Sequence, residues 1–187
     1  CNLSIFWHEL HEGLQRLVEV EEEAVPARNA PAHDIRIWMN NAANQPLLNR
    51  VRSLYLVNNQ LTALPAEIET LRELQNLYLN DNQLTALPAE IGALTQLQHL
   101  YLSKNQLTAL PAEIGTLTQL REIHLDRNQL ATLPAEIRTL TQLKTLYLNN
   151  NRLTADKIAT IQGLLPVNCY FTHSDQRPIA TSQSWCS

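Results

Sequence analysis

Two histidines near the amino end are the first residues whose types suggest chemistry. His8-Glu9-Leu10-His11-Glu12 approaches the zinc-protease helix pattern, in which histidines at i and i+4 hold the metal and a glutamate activates water. Here the histidines stand at i and i+3 and the fifth residue is Glu12, so they read as the polar face of a helix. Cys186 has no histidine at a meaningful spacing to make it a nucleophile. The four glycines, Gly13, Gly92, Gly115 and Gly163, are too scattered to form a phosphate loop. No catalytic residue, metal ligand or cofactor follows from these features, and the chain is not expected to be an enzyme.

Binding chemistry is better represented. All five tyrosines, Tyr55, Tyr78, Tyr101, Tyr147 and Tyr170, lie 23 residues or a multiple of 23 apart, and His124 fills the vacant term. A repeat of that length is the mark of a solenoid. The text around the series recurs almost verbatim, as in residues 71–93, 94–116 and 117–139. Shared leucines alone would define a core, whereas an aromatic kept between two of them points the other way, into solvent.

The elements that must carry this row can be read from one unit. In 71–93 the apolar residues Leu71, Leu74, Leu77, Leu79, Leu84, Leu87 and Ile91 change period within the unit. The alternation Leu77-Tyr78-Leu79 predicts a strand with both leucines inward and the tyrosine outward. Asn82, with its equivalents Asn59, Asn105, Asn128 and Asn151, follows by three residues and is expected to bond the backbone of the bend and of the neighbouring coil. Leu-Pro-Ala-Glu-Ile then recurs at 64–68, 87–91, 110–114 and 133–137, where proline suits the first position of a helical turn and glutamate the positive end of its dipole.

These residues resemble the leucine-rich repeat family in its 23-residue LxxLxxLxLxxNxLxxLPxxIxx form, which occurs in plant intracellular proteins, animal Ras-pathway scaffolds and many bacterial proteins. The near-identity of successive units and the phrase Leu-Thr-Gln-Leu look most like the bacterial versions, some of which are effectors delivered into host cells. The resemblance implies an α/β solenoid with a parallel sheet on the concave face, short helical turns on the convex face, and protein binding as the function. It implies catalysis only in a longer parent, because bacterial ubiquitin-ligase effectors carry a large catalytic domain after the repeats.

The ends depart from the repeat. Leu3, Phe6, Trp7, Leu10, Leu14 and Leu17 form one apolar stripe of a helix, and Ile35, Trp38, Met39 and Ala42 a second, with Asp34 as its expected start. Pro26 and Pro31 interrupt the segment between. The two helices are expected to cover the leucines of the first coil. After Asn151, Ile158, Ile161, Leu164 and Leu165 read as a helix that Asp156 would cap, and Cys169, Tyr170 and Phe171 as a sixth strand, with Ser174 in the asparagine position. The expected division is a helical cap at 1–45, repeats at 46–155, and a closing cap with a degenerate last repeat at 156–187.

Charge directs the choice of partner. The windows 52–60, 75–83, 98–106, 121–129 and 144–152 hold six basic and three acidic residues, a balance of +3 in a chain whose net charge is −4. A mildly basic, tyrosine-lined face on an acidic body suits a protein with an acidic, partly apolar surface. Such a balance is thin against a phosphate backbone, so nucleic acid is not expected. The partner-binding residues read from the sequence are Tyr55, Tyr78, Tyr101, His124, Tyr147, Tyr170, His99, Lys104, Arg121 and Arg127.

No apolar run is long enough for a membrane span. Three cysteines without flanking cysteine-rich caps favour a reducing compartment, the cytoplasm or the cytosol of an invaded host. The amino-terminal Cys1 suggests a processed or trimmed terminus. A monomer that binds a protein partner is the leading reading. Two others stay open: the targeting fragment of a larger enzyme, and a scaffold that self-associates through its amino-terminal helices.

Overall fold

The structure, a computed structural model, describes residues 2–17, 26–27 and 29–173, and of residues 13 and 15–17 the backbone alone. Cys1, Cys186, Ser174, the acidic run at 21–23 and the side chain of Leu17 lie outside the described residues.

Alternation within each unit produces six short strands, β1 (Ser53–Tyr55), β2 (Asn76–Tyr78), β3 (His99–Tyr101), β4 (Glu122–His124), β5 (Thr145–Tyr147) and β6 (Tyr170–Thr172). They form one parallel sheet in chain order. Because the period is constant, the register is constant: Leu54, Leu77, Leu100, Ile123 and Leu146 lie side by side, and so do Tyr55, Tyr78, Tyr101, His124 and Tyr147. All seven apolar residues of the 71–93 unit are at most 6 % exposed. No unit could bury them alone; each is covered by its neighbours.

Opposite the sheet run four 3-10 segments, Ala66–Thr70, Ala89–Ala93, Ala112–Thr116 and Ala135–Thr139. The proline of each Leu-Pro-Ala-Glu-Ile phrase sits one place earlier than expected. Pro65, Pro88, Pro111 and Pro134 are extended residues just outside the helical turn, with ψ near 150°. These segments approach closely, since a Cβ added at Gly115 would meet Glu136 Cβ at 2.7 Å.

The asparagine row joins one coil to the next. Asn105 Nδ2 donates to the carbonyls of Leu79 and Leu102, while its Oδ1 accepts the N–H of Leu84. Asn82, Asn128 and Asn151 repeat the same set one unit away. Asn59, in the first unit, has no earlier coil to reach, and among the described residues its amide makes a single 3.4 Å contact, to the carbonyl of Val57.

Helix α1 (Asn2–Leu17) buries Leu3, Phe6, Trp7, Leu10 and Leu14 beside β1. Helix α2 (Ala32–Met39) buries Ile35 and Met39, and Trp38 meets Trp7 edge-on at 5.5 Å. It begins after Pro31 rather than at Asp34, because proline provides a helix start without a side-chain cap. Ala42 lies beyond this helix, in a separate turn that Asn41 caps, followed by the short α3 (Gln45–Leu48). Arg36 pairs with Glu67 of the first 3-10 segment, which ties α2 to the repeats.

The closing unit is longer than the others. Helix α4 (Ala155–Leu164) replaces the Leu-Pro turn and starts after Thr154, with Asp156 in its first turn rather than at its cap. The step from Leu146 to its partner Phe171 is therefore 25 residues, and Tyr170 pairs with Thr145 instead of Tyr147. Cys169 and Phe171 are buried on either side of Tyr170 as expected. Thr172, not Tyr170, continues the aromatic row.

Asn105→Leu should strand three buried backbone groups and cost about 1–3 kcal/mol for each. Asn59→Leu should cost under about 1 kcal/mol, since one long contact is lost. Urea unfolding of the two variants compares them directly, and equal losses would show that the row does not act as a continuous brace.

Candidate partner-binding face

The outward position of β1 to β5 carries five aromatic rings in register. Tyr55 and Tyr78 stack with centroids 4.5 Å apart and planes 5° from parallel, and Tyr78 and Tyr101 at 4.8 Å and 4°. His124 continues the row, tilted by about 45° against Tyr101 at 4.7 Å and Tyr147 at 4.4 Å. The spacings add to about 18 Å. Stacking covers the faces of the interior rings, so an incoming molecule meets ring edges and phenolic hydroxyls. Tyr55, at the end of the row, is 58 % exposed.

Two polar rows flank the aromatics. On the side of the strand starts, His99 Nδ1 lies 2.9 Å from Asn76 Oδ1, and Asn76 donates to Ser53. Glu122 engages both neighbours, with Oε1 at 2.7 Å from His124 Nε2 and Oε2 accepting from the Tyr101 hydroxyl at 3.3 Å. On the far side Asp126 accepts from the Asn149 N–H and from the Ser103 hydroxyl. The sheet face is thus a preassembled network rather than a set of loose side chains.

Burial and Glu122 act in the same direction on Tyr78, Tyr101 and Tyr147. The Tyr101 phenol is pushed up from 10 to about 12, first by burial and then by the Glu122 carboxylate. Tyr78 and Tyr147 are raised for the same leading reason. Each stays a neutral donor well above physiological pH.

Lys104 and Arg127 stand at the lip of the sheet with φ of 56° and 55°. The equivalent residues Asn58, Asp81 and Asn150 share that left-handed conformation, which short Asn and Asp tolerate better than long side chains do. Lys104 is held by Asp81 at 2.8 Å. Arg127 makes no ion pair among the described residues.

The remaining predicted residues are placed apart. Tyr170 lies in the flanking row, edge-on to Tyr147 at 6.1 Å. Arg121 precedes β4 and opens into a cleft of about 410 Å³ shared with Lys144, Pro166 and Val167. Sequence reasoning did not single out Lys144, Val167 or that cleft. The signal lay in the break of period at Leu164-Leu165-Pro166, which displaces the chain leading into β6.

The chain belongs to the leucine-rich repeat family: its residues 41–152 match the leucine-rich repeat region, and 142–164 match a further leucine-rich repeat. Among solved structures it is similar to a leucine-rich repeat protein of Leptospira interrogans, with 43 % identity over 67 % of this chain and a TM-score of 0.65. It spans about a third of that protein, 32 % of its length. It is also similar to the leucine-rich repeat ectodomain of the receptor kinase SOBIR1 from Arabidopsis thaliana, with 28 % identity over 64 % of this chain and 67 % of that one, at a TM-score of 0.52. No curated protein matches. Domains of this family are commonly protein-interaction modules, and no helix among the described residues is long and apolar enough to cross a membrane.

Arg127→Asn should raise stability by about 1 kcal/mol, because the left-handed backbone suits asparagine and no ion pair is lost. Chemical denaturation reads this, and a loss of stability would mean that the Arg127 side chain contributes packing that outweighs the strain. A second outcome concerns pH. Since the folded-state value of Tyr101 lies above its ordinary 10, its stabilising contribution is complete below pH 10 and disappears as pH rises through about 12. Urea midpoints should fall across that window, and Tyr101→Phe should flatten part of the fall.

Proposed function

We propose that this chain recognises a protein partner through the sheet face, with the aromatic row as the apolar centre and the lip cations as its polar rim. The observation that carries the reading is the uninterrupted row of five rings on a solvent-facing sheet surface. Tyrosine combines a large contact area with a polar tip and is enriched where binding energy concentrates. Lys104 and Arg127 support it, since they place two cations side by side at the lip, at bends whose left-handed backbone suits asparagine better. The partner would offer an acidic, partly apolar surface. In bacterial members of the family such a role includes effectors that act on host proteins, and the sparse cysteines suit a reducing cytosol.

The test separates binding from folding. A photo-crosslinking residue placed at Tyr101 should capture a partner from bacterial or host lysate, and the same residue at Glu113, on the opposite side, should not. Tyr78→Ala with Tyr101→Ala should weaken the captured interaction by about 2 kcal/mol or more. Stability should drop by about 1.5–4.5 kcal/mol, because three ring contacts along the row are lost at about 0.5–1.5 kcal/mol each. Full affinity in the folded double variant would assign the stack to sheet stability alone.

A further inference from the structure

The unengaged positive charge of the sheet face is concentrated at one end. Arg52, ahead of β1, is held by Glu73 at 2.6 Å, and Lys104 by Asp81. Arg121 and Lys144, ahead of β4 and β5, make no ion pair among the described residues. The nearest acids on the sheet are already engaged, Glu122 by His124 and Tyr101, and Asp126 by Asn149 and Ser103. At the other end Arg52 is already paired, and the sheet face exposes two large apolar groups, Val57 at 43 % and Tyr55 at 58 %.

Arg121 and Lys144 share the cleft of about 410 Å³ on the flank where the chain rises into β4, β5 and β6. Its opposite wall is Pro166-Val167-Asn168, and Val167 is 66 % exposed. This wall is a product of the broken period. The N–H of Cys169 bonds the carbonyl of Pro166 in a turn like the one that Leu143 and Leu140 close in the unit before, and Val167 stands in it where that turn carries the polar Thr141. Two cations at the entries of adjacent strands, about 4.8 Å apart at the backbone, face an aliphatic wall. One carboxylate can bond both cations at once, and charge-assisted bonds of this kind are the strong ones.

We infer that the cleft seats an aspartate or glutamate side chain of a protein partner, with an aliphatic neighbour against Val167. The partner then lies along the sheet in one direction, its acidic end at β4 to β6 and its apolar end at Tyr55 and Val57. Two cations beside an aliphatic wall suit such a segment better than a phosphate backbone, which needs many more. The inference rests on the sheet face being the binding surface.

Random peptides displayed on phage and selected on the immobilised full chain supply the probe. Recovered sequences should carry Asp or Glu next to Leu, Ile or Val, and a synthetic representative should bind in fluorescence anisotropy with an affinity that falls as NaCl rises. Arg121→Gln with Lys144→Gln should weaken it about tenfold or more, while Arg138→Gln, on the opposite side, should leave it unchanged. Circular dichroism melting checks that every variant is folded, and the single substitutions stand in if the double variant is not. Recovery of peptides without acidic residues, or of none, overturns the inference. Peptides sensitive to Tyr78→Ala with Tyr101→Ala but indifferent to Arg121→Gln with Lys144→Gln overturn the cleft and leave the sheet face standing. Indifference to both sets overturns the sheet face as well.

Discussion

The bond set of the asparagine row is the constraint from which the rest of this structure follows. One amide per unit satisfies the carbonyl of its own strand, the carbonyl of the strand before it and an N–H of the preceding bend. Those groups are buried, so leaving them unpaired would be expensive. Meeting all three fixes the offset between coils, and the offset fixes the register of the sheet. Register in turn places residues 23 apart side by side, which turns a sequence period into rows of like side chains. A stack of tyrosines is what such a row becomes when the outward residue is aromatic.

Much of this was legible from the sequence because each rule involved is local and repeats. Alternation at Leu77-Tyr78-Leu79 fixes a strand and its faces, and four near-copies leave one way to stack them. The misses fall where repetition stops. Asp34 and Asp156 looked like caps by residue type, yet Pro31 and the residue Thr154 occupy those positions. Tyr170 satisfies the period along the chain, but α4 lengthens the last coil by two residues, and space follows the backbone rather than the count. The cleft beside Lys144 depends on that slip, and its one trace in the sequence is the broken period at 164–166.

Within the sheet face, stability and recognition draw on the same side chains. Stacking rings at 4.5–4.8 Å strengthens the cross-strand contacts and at the same time hides the ring faces, so what remains for a partner is edges and hydroxyls. Glu122 ties His124 to Tyr101 and stiffens the middle of the row. A rigid row loses little freedom on binding, which favours affinity over adaptability. The left-handed lip works in the opposite sense, since Lys104 and Arg127 keep a backbone cost that Asn150 largely avoids.

Departure from the repeat is where individuality enters a solenoid. Identical units give a surface with translational symmetry, and such a surface cannot fix where along its length a partner sits. The fourth and later units break that symmetry: His124 replaces tyrosine, Arg121 and Lys144 replace the glutamines at 75 and 98, and the last coil shifts its register. Each change lies toward the carboxyl end, while in the first strands the row is all tyrosine and Arg52, the earlier cation at the position of Arg121, is held by Glu73. A gradient of unpaired charge along an otherwise periodic face supplies the direction that the repeat by itself lacks, and it does so at flanking positions that leave the asparagine row intact.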